Sequence, residues 1–548
     1  MPRGLTRREF LKAGAAAGAA CTLPALSITR QASAATTVEL DGNEMVARVG
    51  DTFATIQLVP RYSKSATPET ILAKVQYSTD PTFSTYAETA EVSAAYFVRS
   101  EGGKHVGPDG SADLKVSRKY KFIKGQWEIE PGDFIFNETD GSTMVVSRVV
   151  NNQTIAGTLS GGVDNCWNTY DKWRIDRTFY RFELNLTGLA ASTRYYYRVL
   201  LRYEGDPWPA PRATHSFRTR RAPGQTFRFA VWADPHRTLT KRGELDPVQW
   251  GAWDSTVARM KTENVDFVFD IGDTWYMCNG HGKPHFKFMP ELYAMTMRPT
   301  RNGVGGYRGV SDVCADCGYY LARGNHEGVS DYDKPGNGRL LRDLLRLYVP
   351  NPTGNTYPQG GSRDEDYNQG YFAFEWGDAL FIALDCVKYK ELRGDEARFH
   401  IGQAQLDWLA NVLQGSTRRW KFIFFHHLFG GGNDYGRGGA VFASAHEHAQ
   451  VQALAEQHGA VIFKGHDHLL ASEWANTALY YTCGSPCIGR DYKWAPSLYP
   501  NGYLPLRCNE SPPACENNGY VVVEVTATQV TIQYKSHLGH VVDTTVLT

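Results

Sequence analysis

Five short clusters of residues that can bind metal ions each follow an apolar, strand-like run in the second half of the chain. In order, they are Asp234-Pro235-His236, Gly272-Asp273-Thr274-Trp275-Tyr276, Gly324-Asn325-His326-Glu327, Phe425-His426-His427 and Gly465-His466-Asp467-His468. In open α/β folds, the loops at the carboxyl ends of the strands form the ligand-binding crevice. We therefore expect the five clusters to converge on one site.

The donor atoms in these clusters indicate which metals could bind. The candidate ligands offer nitrogen and oxygen but no thiolate, and they are Asp234, His236, Asp273, Asn325, His426, His466 and His468. Such a set suits Zn, Mn or Fe. Seven ligands are too many for one tetrahedral ion and suit two ions that share a bridging carboxylate. His466 and His468 are two residues apart, so in an extended segment both can face the same metal pair.

The ordered series D-x-H, G-D, G-N-H-E, H and G-H-x-H resembles that of the calcineurin-like metallophosphoesterases, from about Phe227 to Leu469. The resemblance implies that one metal is held by Asp234, His236, Asp273 and His468. It implies that the other is held by Asp273, Asn325, His426 and His466, with Asp273 as the bridge. His326 matches the family histidine that stabilises the transition state and protonates the leaving oxygen. His427 is expected beside the ligands or facing the substrate.

The activity implied by this resemblance is hydrolysis of small-molecule phosphate esters. A metal-activated hydroxide would attack phosphorus in line with the leaving alkoxide, and His326 would protonate that alkoxide. We expect a phosphomonoesterase, and a phosphodiesterase or nucleotidase is the alternative. A non-catalytic cell-surface module that binds metal is a more distant alternative. The two divalent or trivalent ions could be Mn, Fe or Zn.

A second resemblance concerns the tyrosine of the second cluster. The spacing G-D-x-x-Y from Gly272 to Tyr276 is similar to purple acid phosphatases, in which the tyrosine binds ferric iron. Those enzymes lack the histidine of D-x-H, which this chain has as His236. Because both side chains would compete for one coordination position, we expect His236 to bind the metal and Tyr276 to line the pocket or to pack beside it.

Residues 225–548 are predicted to form the domain that positions these clusters. Apolar strand-like runs alternate there with helical patterns, and Trp250, Trp253, Val257 and Met260 recur at spacings of three and four, which indicates one buried helical face. Alternation of this kind predicts an α/β domain. The resemblance implies a metallophosphoesterase-type β-sandwich flanked by helices.

Residues 36–222 are predicted to form a preceding all-β domain, because short β-branched and aromatic runs there are broken by Gly, Asp, Asn and Pro. The turn Leu186-Thr187-Gly188-Leu189 is followed by a strand-like run with Tyr195, Tyr196 and Tyr197, and a tyrosine alternating along such a strand resembles the tyrosine corner of immunoglobulin-like and fibronectin-type sandwiches. The Gly/Asp/Asn-rich stretch from about Ser100 to Arg177 is interpreted as an insertion or as a second small β unit. A β domain in this position is similar to the architecture of purple acid phosphatases and secreted alkaline phosphodiesterases. We expect it to be an appendage without chemistry.

The N-terminus predicts where the protein acts. Arg7-Arg8 is followed by a weakly apolar run and by the small-x-small sequence Ala32-Ser33-Ala34. Residues 1–34 thus resemble a twin-arginine signal peptide, which implies the twin-arginine export machinery as a partner and a periplasmic or extracellular location. The sequence has no apolar run of the roughly 18 residues that would predict a membrane span.

Charge and cysteine content indicate which partners and which cysteine arrangements to expect. The chain has 58 Lys and Arg against 58 Asp and Glu, so its formal net charge is zero, and a nucleic-acid partner is not expected. Cys314-x-x-Cys317 stands without a second such pair, which favours a disulfide or two thiols over a zinc site. Local disulfides are predicted between Cys483 and Cys487 and between Cys508 and Cys515.

Overall fold

The computed structural model is composed mainly of strands. It describes residues 37–65, 67–104, 113–115, 129, 131–151, 154–161, 171–236, 247–275, 296–297, 307–328, 345, 348–352, 370–385, 401–427, 445–466, 468, 470–487, 504–505 and 518–548. Among these residues, no helix is long and apolar enough to cross a membrane.

The elements described before residue 219 are all strands. They are β1 (Met45–Ala47), β2 (Phe53–Leu58), β3 (Ile71–Ser78), β4 (Ala87–Glu88), β5 (Val92–Ser93), β6 (Ala95–Lys104), β7 (Asp113–Lys115), β8 (Phe134–Asn137), β9 (Thr143–Asn151), β10 (Thr154–Ser160), β11 (Lys172–Thr187), β12 (Arg194–Tyr203) and β13 (His215–Arg218). The predicted β character of this region is thereby confirmed.

Strands alternate with helices in the rest of the described chain. The strands are β14 (Phe227–Trp232), β15 (Phe267–Asp270), β16 (Gly318–Leu321), β17 (Phe372–Trp376), β18 (Ala379–Ala383), β19 (Trp420–Phe425), β20 (Ala460–Lys464), β21 (Leu470–Ala475), β22 (Ala478–Cys483), β23 (Leu504–Pro505), β24 (Gly519–Val525), β25 (Val530–Ser536) and β26 (Val541–Leu547). The helices are α1 (Pro247–Met260), α2 (Ser311–Cys314), α3 (Asn325–Gly328), α4 (Gln403–Gly415) and α5 (Ala445–His458).

Two mixed sheets form the centre of the second half, and each has a parallel core. In the first sheet, β14, β15 and β16 are parallel, and β24 to β26 extend the sheet in antiparallel fashion. In the second sheet, β18, β19, β20 and β22 are parallel. Parallel strands require crossover connections, so the predicted α/β alternation is confirmed.

Helices cover the outer faces of both sheets. Helix α1 begins with Pro247, whose missing N–H is not needed at a first helical position. The four predicted apolar residues of α1 are buried in one cluster with side chains of the first sheet. Helices α4 and α5 pack in the same way on the second sheet. The result is the expected sandwich of two sheets flanked by helices.

Aromatic contacts hold the inner faces of the two sheets together. The rings of Phe269 on β15 and Phe424 on β19 are stacked with 3.7 Å between their centroids. Phe229 on β14 meets Phe381 on β18 edge-on at 5.1 Å. Such aromatic pairs contribute about 0.5–1.5 kcal/mol each beyond the burial of their area. Because β15 and β19 face each other, the loops that follow them leave the sandwich at the same edge.

The N-terminal strands are joined to the second half of the chain through the first sheet. Strand β1 pairs in parallel with β16 at Val46 and Gly318, and β2 and β11 continue the sheet beyond β1. Strands β3, β4, β5, β12 and β13 form a separate five-stranded sheet. The buried Tyr197 hydroxyl on β12 donates to the Ala315 carbonyl at 2.7 Å. The boundary between residues 36–222 and 225–548 stays a prediction.

One of the predicted local disulfides is wrong. Cys483 is a free, buried thiol, so it forms no bond with Cys487. Cys314 and Cys317 are likewise buried thiols, which is one of the two arrangements expected for that pair. Burial raises the pKa of the Cys314 thiol well above its usual value. Cys508 and Cys515 lie outside the described residues.

Candidate metal centre

The ends of four strands, two from each sheet, bring six of the seven predicted ligands to one edge of the sandwich. Asp234 and His236 follow β14, Asp273 follows β15, His426 follows β19, and His466 and His468 follow β20. His326 lies on α3, directly after β16. All of these side chains are buried. The predicted convergence therefore occurs for the side chains that the structure describes.

The turns that carry these residues are conformationally strained. Asp234, His236, Asp273, His466 and His468 all have positive φ angles, between 40° and 72°. Residues with a Cβ rarely adopt this region, and it is maintained only when the surrounding structure imposes it. Such strain is concentrated at functional sites.

Two glycines allow the loops to approach each other. A Cβ on Gly272 would lie 2.2 Å from the Gly324 backbone nitrogen, and a Cβ on Gly324 would lie 2.3 Å from Asp273 Oδ1. Neither position can hold a side chain without movement of the backbone or of the Asp273 carboxylate. The glycines of the G-D and G-N-H-E motifs therefore set the distance between the two loops.

The described ligand atoms form three overlapping groups, each within 4.8 Å. The groups are Asp234 with His236 and His468, His236 with Asp273 and His326, and Asp273 with His426 and His466. Asp273 Oδ2 lies 2.9 Å from His236 Nε2 and 3.2 Å from His426 Nε2. The Asp273 carboxylate thus lies between two histidines that belong to different groups.

The donor set and its hydrogen bonds fit metal ions. Asp234 Oδ2 accepts the His466 N–H at 2.6 Å, whereas the buried Oδ1 atom accepts no hydrogen bond. Oδ1 instead lies 3.5 Å from His468 Nε2. His426 Nδ1 is bonded to the Ile271 carbonyl at 2.7 Å, which leaves its Nε2 facing the carboxylates. A histidine whose second nitrogen is held in this way is typical of metal ligands.

The charges of the cluster are strongly coupled. Burial disfavours protonation of His236, but the Asp273 and Asp234 carboxylates outweigh it and raise its pKa to about 9. The same balance raises the pKa of His426 to about 10. Burial alone would raise the pKa of Asp273, but the surrounding histidines lower it well below its usual value. The site therefore favours positive charge next to its carboxylates, as a cation-binding site must.

Glu327 makes contacts within the site for which the sequence indicated no role. Its carboxylate accepts the backbone N–H groups of Asp273 and Gly324 at 2.8 Å and that of Trp275 at 2.7 Å. One buried side chain thus joins the second and third motifs. Its position directly after His326 was the only sequence signal, and nothing local indicates that two of its three partners lie more than fifty residues upstream.

Two further residues beside the motifs have defined surroundings. The His427 ring lies 4.8 Å from the His466 ring, and burial together with His466 and His426 lowers its pKa well below the usual value. These surroundings favour the neutral form of the His427 imidazole. Arg323 is buried and hydrogen-bonded to the Asp385 carboxylate. The Asn325 side chain, Tyr276 and Asp467 lie outside the described residues.

Two segments of the chain match models of known protein families. Residues 227–470 match the family model of the calcineurin-like phosphoesterases, and residues 4–24 match that of the twin-arginine translocation pathway signal sequence. No curated protein sequence matches the chain significantly.

Two solved structures have a similar fold. The structure of PhoD has a TM-score of 0.55 at 13% identity, with 94% of this chain and 90% of that chain covered. The purple acid phosphatase PPD1 from yellow lupin (Lupinus luteus) seeds has a TM-score of 0.50 at 13% identity, with 92% of this chain and 73% of that chain covered. At this identity, the likeness concerns the fold alone.

The fold, the buried His/Asp cluster and the signal together define an exported hydrolase. Residues 227–470 belong to the calcineurin-like phosphoesterases. The twin-arginine signal directs the protein to the periplasm or the extracellular space.

Proposed function

We propose that this protein is a phosphomonoesterase that uses two metal ions, held by the seven ligands predicted from the sequence. The observation that carries the proposal is the position of Asp273 Oδ2, within 3.2 Å of both His236 Nε2 and His426 Nε2. A carboxylate between two separate groups of imidazoles is suited to bridge two cations. His236, His468 and Asp234 would hold one ion, and His426, His466 and Asn325 would hold the other.

The bound ions would supply Lewis acidity, which lowers the pKa of water and neutralises the charge of a phosphoryl group. The protein's own residues orient the carboxylate ligands. Backbone N–H groups hold one carboxylate oxygen each of Asp234 and Asp273, and the other oxygens, Asp234 Oδ1 and Asp273 Oδ2, lie 3.4 Å and 2.9 Å from His236 Nε2. Burial of all described ligands excludes bulk water and strengthens their electrostatic interactions.

His326 is proposed as the proton donor to the leaving oxygen. Its Nε2 atom lies 3.7 Å from Asp273 Oδ2, and its ring meets the His236 ring edge-on at 4.6 Å. The imidazole is thus next to the bridging carboxylate without being bonded to it at close range. General-acid catalysis of this kind contributes about 10²–10⁴-fold in rate.

We further propose that residues 36–222 form an immunoglobulin-like or fibronectin-like unit ahead of the 225–548 domain. The support is local. The buried Tyr195 hydroxyl accepts the Ala190 N–H at 2.9 Å, a hydrogen bond of the kind expected for a tyrosine corner.

The decisive experiment pairs metal content with substrate preference. The mature protein is stripped with a chelator, reloaded with Mn²⁺, Zn²⁺ or Fe ions, and assayed on aryl and alkyl phosphate monoesters and on the matching diesters. We expect two ions per chain and faster turnover of the monoesters. Asp273→Asn should lose bound metal, because the amide is a weaker and uncharged ligand.

Leaving-group dependence tests the role of His326. In His326→Ala, hydrolysis of an alkyl phosphate should fall by about 10²–10⁴-fold, and hydrolysis of 4-nitrophenyl phosphate should fall much less, since that leaving group needs no proton. His458→Ala, at the far end of α5, is the matched control and should leave both rates unchanged. Faster turnover of diesters would favour the phosphodiesterase alternative, and no turnover with any metal would refute the enzyme.

A further inference from the structure

We propose that the N-terminal β region contributes to catalysis by supporting the loop that carries His326. Arg48 and Asn351 are the positioning residues through which it acts. The inference rests on the proposed function of His326, because the loop they hold carries Asn325 and His326. It contradicts the expectation that residues 36–222 are an appendage without chemistry.

The starting observation is the incomplete pairing of strand β16. On one side, the Gly318 N–H donates to the backbone carbonyl of Asp266. The N–H of Ala322, directly after the strand, donates to the backbone carbonyl of Asp270. This side of β16 is therefore paired with β15 and the residues around it. On the other side, β1 pairs with β16 only at Gly318. The N–H and carbonyl of Leu321 face that second side, beyond the point where β1 ends.

The Asn351 side chain pairs with β16 at the position where β1 no longer does. Its Oδ1 atom accepts the Leu321 N–H at 2.9 Å, and its Nδ2 group donates to the Leu321 carbonyl at 2.8 Å. A side-chain amide thus satisfies both backbone groups of the last residue in β16. Leu321 is four residues before Asn325, so this contact lies where the chain leaves the sheet towards the metal centre.

Arg48 connects Asn351 to the N-terminal region. It directly follows β1, and its Nε–H donates to the Asn351 carbonyl at 3.1 Å. Its Nη1 group donates to Glu183 Oε2 on β11 at 2.8 Å. Arg48 also has a φ of 47°, a conformation disfavoured for a residue with a Cβ. The left-handed turn directs the side chain away from its own strand and across to Asn351.

A second contact supports the same strand from the same region. The Tyr320 hydroxyl donates to the Val49 carbonyl at 3.3 Å, and the Tyr320 side chain is buried in the core shared by both halves. The residues that follow β1 therefore hold two consecutive residues of β16. A displacement of about 1 Å at a catalytic group can reduce the rate about 100-fold, so this support bears on turnover.

The experiment uses the full-length mature protein with Asn351→Asp and Arg48→Gln. The aspartate has the shape of the asparagine but cannot donate to the Leu321 carbonyl. Arg61→Gln is the matched control, since Arg61 makes an exposed ion pair with Glu39 in the same region. Two readouts are compared: amide hydrogen exchange of residues 318–328 in metal-free protein, and the ratio of kcat values for alkyl and 4-nitrophenyl phosphate.

In both test variants we expect exchange at residues 318–328 to rise about 5- to 10-fold, the effect of losing one hydrogen bond. We expect kcat on the alkyl ester to fall roughly 10- to 100-fold, more than on the aryl ester, with KM little changed. Equal loss on both esters, or unchanged exchange, would overturn the proposal. If His326→Ala itself shows no leaving-group dependence, it is the proposed function that fails, and exchange alone then decides the role of Arg48 and Asn351.

Discussion

Asp273 and Glu327 each hold the backbone of the other's loop. The Asp273 N–H donates to Glu327 Oε2 at 2.8 Å, and Asp273 Oδ1 accepts the N–H of His326, the residue directly before Glu327, also at 2.8 Å. The Asp273 carboxylate and the loop with the proposed proton donor are therefore fixed relative to each other by reciprocal hydrogen bonds. This relationship makes Glu327 as important for the geometry as a ligand.

Glu327→Gln should strongly reduce activity while keeping the size of the side chain. The amide group turns one acceptor into a donor that faces a backbone N–H, so at least one of the three bonds is lost. We expect kcat to fall by roughly 100-fold, as for a small misplacement of catalytic groups. Steady-state kinetics with metal analysis is the measurement. Wild-type kcat in this variant would mean that the three bonds do not position Asp273.

Gly272→Ala should disrupt both stability and metal binding. Gly272 has a φ of 93°, and an added Cβ would lie 2.2 Å from the Gly324 nitrogen. We expect a loss of unfolding free energy of about 1–3 kcal/mol or more, measured by denaturant titration.

Gly251→Ala provides the matched control for that substitution. Gly251 lies within α1, and nothing surrounds the position of its added Cβ within 4 Å. Alanine should there stabilise the helix by up to about 1 kcal/mol. Equal effects of the two substitutions would contradict the close approach of the two loops.

Tyr195→Phe tests the tyrosine corner. Removing the hydroxyl leaves the Ala190 N–H without its acceptor, which should cost about 0.5–1.5 kcal/mol of unfolding free energy. Tyr86→Phe is the control, because the Tyr86 side chain is exposed. If both variants unfold at the same denaturant concentration as the wild type, the corner does not contribute to stability.

His215→Gln should remove a pH-dependent part of the stability of the metal-loaded protein. Burial and Arg212 oppose protonation of His215, but Asp316 and Glu44 outweigh them and raise its pKa. Because the pKa of His215 is higher in the folded than in the unfolded protein, where it is about 6.5, protonation of His215 stabilises the fold. This contribution is fully present below about pH 6.5. The contribution is lost as the pH rises through the folded-state pKa.

The measurement for His215 is the unfolding free energy as a function of pH. Relative to His215→Gln, the wild type should be most stable in acidic solution and should lose that advantage above about pH 6.5. The contact between His215 and Asp316 joins β13 to the second half of the chain. His215 Nδ1 lies 3.3 Å from the Asp316 carboxylate. Parallel curves for the two proteins would exclude a role of this contact.

Much of the catalytic half could be predicted from local patterns. The apolar spacing of α1 determines which face of the helix is buried, because the period of 3.6 residues is a property of the helix itself. The metal-capable residues are recognisable because each follows a buried strand. The twin-arginine signal is likewise a linear feature, readable without any fold.

The sequence by itself therefore determined the donor atoms available to the centre and the route of export, since both are given by residue identity. Only the tertiary structure decided which groups meet. The contacts of Arg48 with Asn351, of Glu327 with Asp273 and of Arg323 with Asp385 span from 54 to 303 residues of sequence. Contacts of that range depend on sheet order and register, for which no local pattern exists. The N-terminal strands were consequently predicted as a separate domain, although β1, β2 and β11 continue the first sheet beyond β16.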